Sequence, residues 1–181
     1  MLQHWRTLSS RAIHENPWWT YRLDDFEIPG GVKGQYHYVH TAGSSMVVPL
    51  TDDGRIIMVN QYRYLGRRES MEFPCGSLQH GQTYLETAHQ ELREEAGYTA
   101  RTLESVGRFN PYNGVTDEMC EVFVATGLSP TQAQPDATEE FEVVACRPAE
   151  LEALISQAKV WDGMTLAAWA LARETVLGRL G

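Results

Sequence analysis

Hydrophobic and polar positions along this chain of 181 residues recur with two different periods, and the period marks the elements. Near the start, Phe26-Glu27-Ile28, a glycine-rich turn over residues 29–34 and the alternating run 35–40 predict an antiparallel hairpin. Residues 46–50 and 55–62 are β-rich runs joined by Thr51-Asp52-Asp53-Gly54, and the Asp-Gly step predicts a second hairpin. A short strand follows at 71–73. Two more are predicted at 102–109 and 118–125, around the loop 110–117, and another at 140–147. The period changes to that of a helix where Leu85, Ala88, Leu92 and Ala96 repeat at three- and four-residue steps. Helical spacing returns over 149–158 and 162–177, with Asp162 placed to cap the second of these. Residues 129–138, with two prolines and small polar side chains, predict a loop. Strands surrounding one central helix, with a helical tail, indicate an α+β sandwich.

The helix at 85–96 also carries the chain's densest carboxylates. At about 100° per residue, Glu91, Glu94 and Glu95 fall within roughly 100° of one helix face. Acidic runs on helices are usually solvated faces. Like charges one turn apart nevertheless repel by a few tenths of a kcal/mol, which a cation between them would offset. Mg²⁺ is the natural candidate, because it prefers oxygen ligands and leaves room for substrate phosphate.

The surrounding spacing sharpens this reading. Gly76, five residues, Gln82, seven residues, then Gln90-Glu91-Leu92-Arg93-Glu94-Glu95-Ala96-Gly97-Tyr98 resembles the Nudix box. That box reads Gly, five residues, Glu, seven residues, Arg-Glu-aliphatic-any-Glu-Glu-any-Gly-aliphatic. Gln82 and Gln90 stand where the family has a Glu and an Arg that bridge each other. The two departures are paired, so an ion pair is removed without orphaning either partner, and two amides can still hydrogen-bond.

The resemblance extends to most of the chain and points to ADP-ribose and nucleoside-diphosphate-sugar pyrophosphatases. It rests on the aromatic start, Val48-Pro49-Leu50, Gln61-Tyr62-Arg63, the Gly-x-x-Asp-Glu run from Gly114 to Glu118, and Glu140-Phe141-Glu142-Val143. ADP-ribose enzymes carry a proline sixteen residues past the last box glycine, and here that position is Asn113. The nucleoside-diphosphate-sugar class is therefore the expectation, with ADP-ribose its leading member.

By resemblance, the fold is a Nudix α/β/α sandwich with a mixed sheet. A strand region at 1–45, serving dimerisation and substrate contacts, precedes the hydrolase domain at 46–181. Glu91, Glu94 and Glu95 are expected to hold Mg²⁺, or Mn²⁺ in its place, together with the backbone carbonyl of Cys75. Glu94 and Glu95 also count as catalytic. A base from outside the box is expected among Glu139, Glu140 and Glu142, with Glu140 favoured. Arg63 is either a strand-end residue or a diphosphate contact, Trp18 and Trp19 either core or interface aromatics or base-stacking rings, and Asn113 is placed among the substrate contacts. A non-catalytic, nucleotide-binding Nudix-fold module is the alternative, motivated by Gln82 and Gln90.

Composition narrows the picture further. A content of 43% hydrophobic and 22% charged residues suits one globular domain, and no apolar run is long enough to predict a membrane span. The start lacks the apolar core of a secretory signal, so a cytoplasmic protein is expected. Cys75, Cys120 and Cys146 are widely spaced and odd in number, which favours reduced thiols over disulfides or zinc. A net charge of −9 argues against a nucleic-acid partner. It also means that an anionic diphosphate needs a cation or local arginines to approach.

Overall fold

The computed structural model describes residues 2–134 and 140–181; Glu139 and residues 135–138 of the predicted 129–138 loop lie outside the described residues. Three strands come first: β1 (Arg6–Glu15), β2 (Thr20–Glu27) and β3 (Lys33–His40). The predicted hairpin is the β2–β3 pair, running antiparallel from Thr20 opposite His40 to Glu27 opposite Lys33. β1 adds a third strand on the free edge of β2, a strand that the pattern did not predict. All ten of its residues are exposed, so no apolar alternation marks it.

The chain then builds β4 (Ser44–Pro49), β5 (Ile56–Arg63), β6 (Arg68–Glu72) and β7 (Cys75–Ser77). The helix α1 (Tyr84–Glu94) is followed by β8 (Tyr98–Phe109), β9 (Cys120–Pro130) and β10 (Glu142–Cys146), and then by α2 (Pro148–Ser156) and α3 (Gly163–Gly178). A mixed four-stranded sheet runs in the order β7-β4-β9-β8, with β4 and β9 parallel and the outer pairings antiparallel. A second, antiparallel sheet has the order β10-β5-β6.

The predicted hairpin over 46–62 is corrected by this arrangement. Its turn exists, closed by Thr51 N–H to Arg55 C=O at 2.9 Å and by a lone bridge between Leu50 and Ile56. Beyond the turn the strands part into different sheets. The cause is visible in the residues, because β4 is buried at all six positions and the first four positions of β5 are buried too. Runs without a polar face need cover on both sides, which a solvent-facing hairpin cannot supply. Met46, Val48, Ile56, Met58, Val122 and Val124 face α2 and α3 through Leu151, Trp169, Ala172 and Val176. Val47, Ile57, Val59, Phe123 and Ala125 face Ala88, Leu92 and Ala96 on the side of α1. The sheets thus sit between helical layers, as the sandwich expectation required. β9 runs to Pro130, past the expected boundary at 125, because Ser129 and Pro130 still pair with Thr99 and Tyr98 of a β8 that starts directly after α1.

α3 is capped as predicted, and α1 has a cap that was not anticipated. Thr83 caps α1 in a reciprocal box with Glu86, and the Asp162 carboxylate accepts from Thr165 N–H at 2.7 Å. No helix among the described residues is long and apolar enough to cross a membrane.

Candidate active site

α1 ends where Gly97, with φ of 69°, turns the chain left-handed and donates its N–H to Arg93 C=O at 3.2 Å. The stripe of Ala88, Leu92 and Ala96 is fully packed, whereas Leu85, at the N-terminal end, is left exposed. With the helix docked on that stripe, Glu91, Glu94 and Glu95 line one side of a cleft of about 760 Å³. Cys75 and Gly76 of β7 line it directly beside these acids, and Arg63 and Trp18 line it as well.

Each acid is held differently. Glu95 is only 6% exposed, and its Oε2 accepts the backbone N–H of Cys75 at 3.0 Å, which ties helix and strand together at the cleft floor. Glu94 is half-buried, with Oε1 accepting from Arg93 at 3.0 Å and Oε2 from Gln90 Nε2, also at 3.0 Å. Glu91 lies against Gly76 so closely that a Cβ on that residue would overlap its carboxylate. The Cys75 side chain turns away into the core. A hydrogen bond with Cys120, burial, and the nearby charges of Glu95 and Glu91 all push its thiol pKa up, so it is a neutral packing group. What Cys75 offers the cleft is its backbone.

Gln82 and Gln90 do hydrogen-bond, Gln82 Nε2 donating to Gln90 Oε1 at 2.8 Å. The structure therefore carries a continuous chain from the loop through two amides to Glu94. Arg63 pairs with Glu72, its Nε donating to Oε1 at 2.8 Å and its Nη2 to Oε2. The Glu72 side chain is 2% exposed. The bidentate edge of Arg63 is thus spent on a buried carboxylate, which fixes the guanidinium where it lines the cleft. Glu72 was missed in the sequence, although an acid between the apolar Met71 and Phe73 was the signal that it is inward-facing and paired. Pro17, Ser77 at the end of β7 and the loop residues Leu78, Gln79 and His80 also line the cleft and were not anticipated.

Three expected residues are placed elsewhere. Trp19 packs against His14, with ring centroids 6.0 Å apart, while its neighbour Trp18 faces the cleft. Asn113 lines a separate pocket with Tyr36, Tyr38 and Asp117, because its loop is fastened to β3 by Val39 N–H to Val115 C=O at 2.8 Å. Glu140 lines another pocket with Asn60, Gln61, Tyr62, Glu69 and Glu142. Gln61 of that pocket and Arg63 of the cleft lie on the same face of β5 and both donate to Glu72, which links the two. Among the described residues, no three His, Cys, Asp or Glu side chains form a ready-made metal cage. The three glutamates present hard oxygen donors along one open wall, a set that fits a cation sharing its coordination with water and phosphate.

Apart from Pro17 and Trp18, every residue lining the cleft comes from the continuous stretch between Arg63 and Glu95.

Comparison with known proteins agrees with this geometry. The NUDIX domain profile matches residues 40–167, and the nucleoside diphosphate sugar hydrolase N-terminal domain profile matches residues 5–39. The chain is 34% identical over 145 residues to an ADP-ribose pyrophosphatase of Bacillus subtilis, covering 79% of this chain and 78% of that one. It is 29% identical over 165 residues to a methanol dehydrogenase activator of Bacillus methanolicus, covering 90% and 89%. A crystal structure of an ADP compounds hydrolase shares the fold, with a TM-score of 0.86 at 23% identity, covering 99% of this chain and 97% of that one. With a family match over most of its length and the box acids gathered on one wall of a cleft, the chain belongs to the Nudix family.

Proposed function

We propose that this protein is a Mg²⁺-dependent pyrophosphatase that hydrolyses the diphosphate bond of a nucleoside diphosphate sugar, ADP-ribose first among them, giving a nucleoside monophosphate and a sugar phosphate. The observation that carries this reading is the convergence of Glu91, Glu94 and Glu95 on one cleft with Arg63 and the Cys75 backbone. The relatives named ADP-ribose pyrophosphatase in Bacillus subtilis and Mycobacterium tuberculosis, each 34% identical, support the substrate class.

Nudix hydrolases work with a divalent cation, and the carboxylates here suit Mg²⁺, with Mn²⁺ as a substitute. Glu91, Glu94, Glu95 and the Cys75 carbonyl would hold it. When bound, such an ion supplies positive charge against the phosphoryl oxygens and acidifies water. The chain's own groups do the rest. Arg63, fixed by Glu72, adds positive charge where the diphosphate enters. Trp18 offers an exposed ring for base stacking at the rim. Glu140, in the adjoining pocket beside Gln61 and Tyr62, is the carboxylate assigned to take the proton from the attacking water. The non-catalytic alternative rested on Gln82 and Gln90, and their hydrogen-bonded connection to Glu94 favours the hydrolase instead.

Incubation with Mg²⁺ and a panel of ADP-ribose, ADP-glucose, GDP-mannose, UDP-glucose and dinucleotides is expected to release monophosphate from one class, and chelator is expected to stop it. Silence across the panel, with ligand-induced stabilisation, would support the binding module.

The region 1–45 is further proposed to pair two copies and contribute to substrate contacts, in a cytoplasmic homodimer. Its support is the exposure of all of β1, with Leu8 and Ile13 on that strand and Trp5 just before it. Light scattering should give twice the chain mass of 20.4 kDa, and a monomeric mass would overturn the pairing.

A further inference from the structure

The family's usual ion pair is replaced here by two glutamines, and their hydrogen bonds have a direction. Gln82 Oε1 accepts from the Gln79 backbone N–H at 3.1 Å and from the Thr87 hydroxyl at 3.2 Å. An amide oxygen has two lone pairs, and both are in use. The Gln79 N–H can only donate, so turning the Gln82 amide over would set an NH₂ group against it. The Gln82 NH₂ group is therefore pinned toward Gln90 Oε1, at 2.8 Å. That contact in turn fixes the second amide, whose NH₂ group reaches Glu94 Oε2 at 3.0 Å. Arg93 holds the other oxygen of the same carboxylate, at 3.0 Å.

We propose that Thr87, Gln82 and Gln90 form a one-way relay that orients the Glu94 carboxylate, so that either glutamine changed alone to the family's charged residue impairs the metal site while the paired change restores it. The proposal rests on the reading of Glu94 as a metal-holding residue and adds the positioning residues behind it.

The sign follows from donor counting. In Q82E the new carboxylate would still accept from Thr87 and Gln79 but could donate nothing to Gln90. The Gln90 amide would turn to donate to that carboxylate, and its carbonyl oxygen would then face the Glu94 carboxylate. In Q90R the Gln82 NH₂ group would confront a guanidinium, which only donates. With both changes, the introduced guanidinium donates to the introduced carboxylate and to Glu94, and the polarity of the relay is recovered.

The test measures binding of Mn²⁺ alone by electron paramagnetic resonance, alongside Mg²⁺-activated turnover, for Q82E, Q90R, Q82E/Q90R, Thr87→Val and Glu94→Gln. Each single glutamine variant is expected to weaken Mn²⁺ binding about ten- to hundredfold, in the range typical of groups that orient metal ligands. Their turnover should fall through a raised metal requirement, with KM for the nucleotide little changed. The double variant should return to within about threefold of the parent. Thr87→Val, which adds no charge, should weaken Mn²⁺ binding in the same direction, and it carries the test should a charged variant fail to fold. If Q82E and Q90R bind Mn²⁺ like the parent, or the double variant is no better than the worse single one, the relay is overturned. If Glu94→Gln leaves Mn²⁺ binding unchanged, the metal-site reading itself has failed.

Discussion

Glu95→Gln is expected to leave a folded protein with almost no turnover. Glu95 is nearly buried, and its Oε2 accepts the Cys75 N–H. A glutamine carbonyl can accept that same hydrogen bond, so the junction between α1 and β7 should hold and the melting temperature should move little. The substitution removes a negative charge from the cleft floor. Stabilisation of phosphoryl charge by a bound cation is worth several kcal/mol, and about 1.4 kcal/mol is tenfold in rate. Loss on the order of 10³-fold in kcat is therefore expected. Glu95→Ala separates the two roles, because it leaves the Cys75 N–H without that acceptor, a cost of about 1–3 kcal/mol. Turnover by Glu95→Gln within a fewfold of the parent would remove Glu95 from the metal site.

Gly76→Ala comes next in expected effect. The backbone of Gly76 lies outside the left-handed region, so alanine suits its conformation, and the obstacle is space alone. A methyl group there would occupy the position of the Glu91 carboxylate. Of the two, the glutamate is the flexible party, since it is the tip of a side chain on an otherwise well-packed helix. The carboxylate should swing aside rather than the backbone deform, so the damage falls on cation binding and not on folding. About a 10–100-fold rise in the Mg²⁺ concentration needed for half-maximal turnover is expected, comparable to losing the support of one metal ligand. Calorimetry should show a native-like melt. Unfolding of the variant would mean that Gly76 serves the loop's packing, and unchanged Mg²⁺ dependence would detach Glu91 from the cation.

The contrast between these residues and the rest of the chain shows what the sequence disclosed. The acid face of α1 was readable because helical spacing is local, and Asp162 and Gly97 mark their helix ends by chemistry within a few positions, whereas the Thr83 cap was not read. The Gln82–Gln90 contact was readable for another reason: both charges of a known pair were missing together. β1 was not readable, because an edge strand exposed on both faces carries no periodicity. Sheet membership of β4 and β5 was hidden as well. The parallel partner of β4 lies far along the chain in β9, and nothing in an apolar run names its neighbour. Arg63 was visible as a strand-end cation, but its commitment to Glu72 depends on pairing between β5 and β6. Asn113 and Glu140 were displaced from the cleft by attachments of the same long-range kind, to β3 and β5.

The confinement of the cleft's lining to one stretch of chain between Arg63 and Glu95, with only Pro17 and Trp18 arriving from outside, bears on how such a protein diversifies. On the proposed reading, the carboxylates that would hold the cation come from one stretch of chain and the ring that would meet the base from another. Substitution at Trp18, in the connection between β1 and β2, would change the rim proposed for the nucleoside without touching the carboxylates of α1. One hydrolytic engine can in this way be fitted with many different entrances.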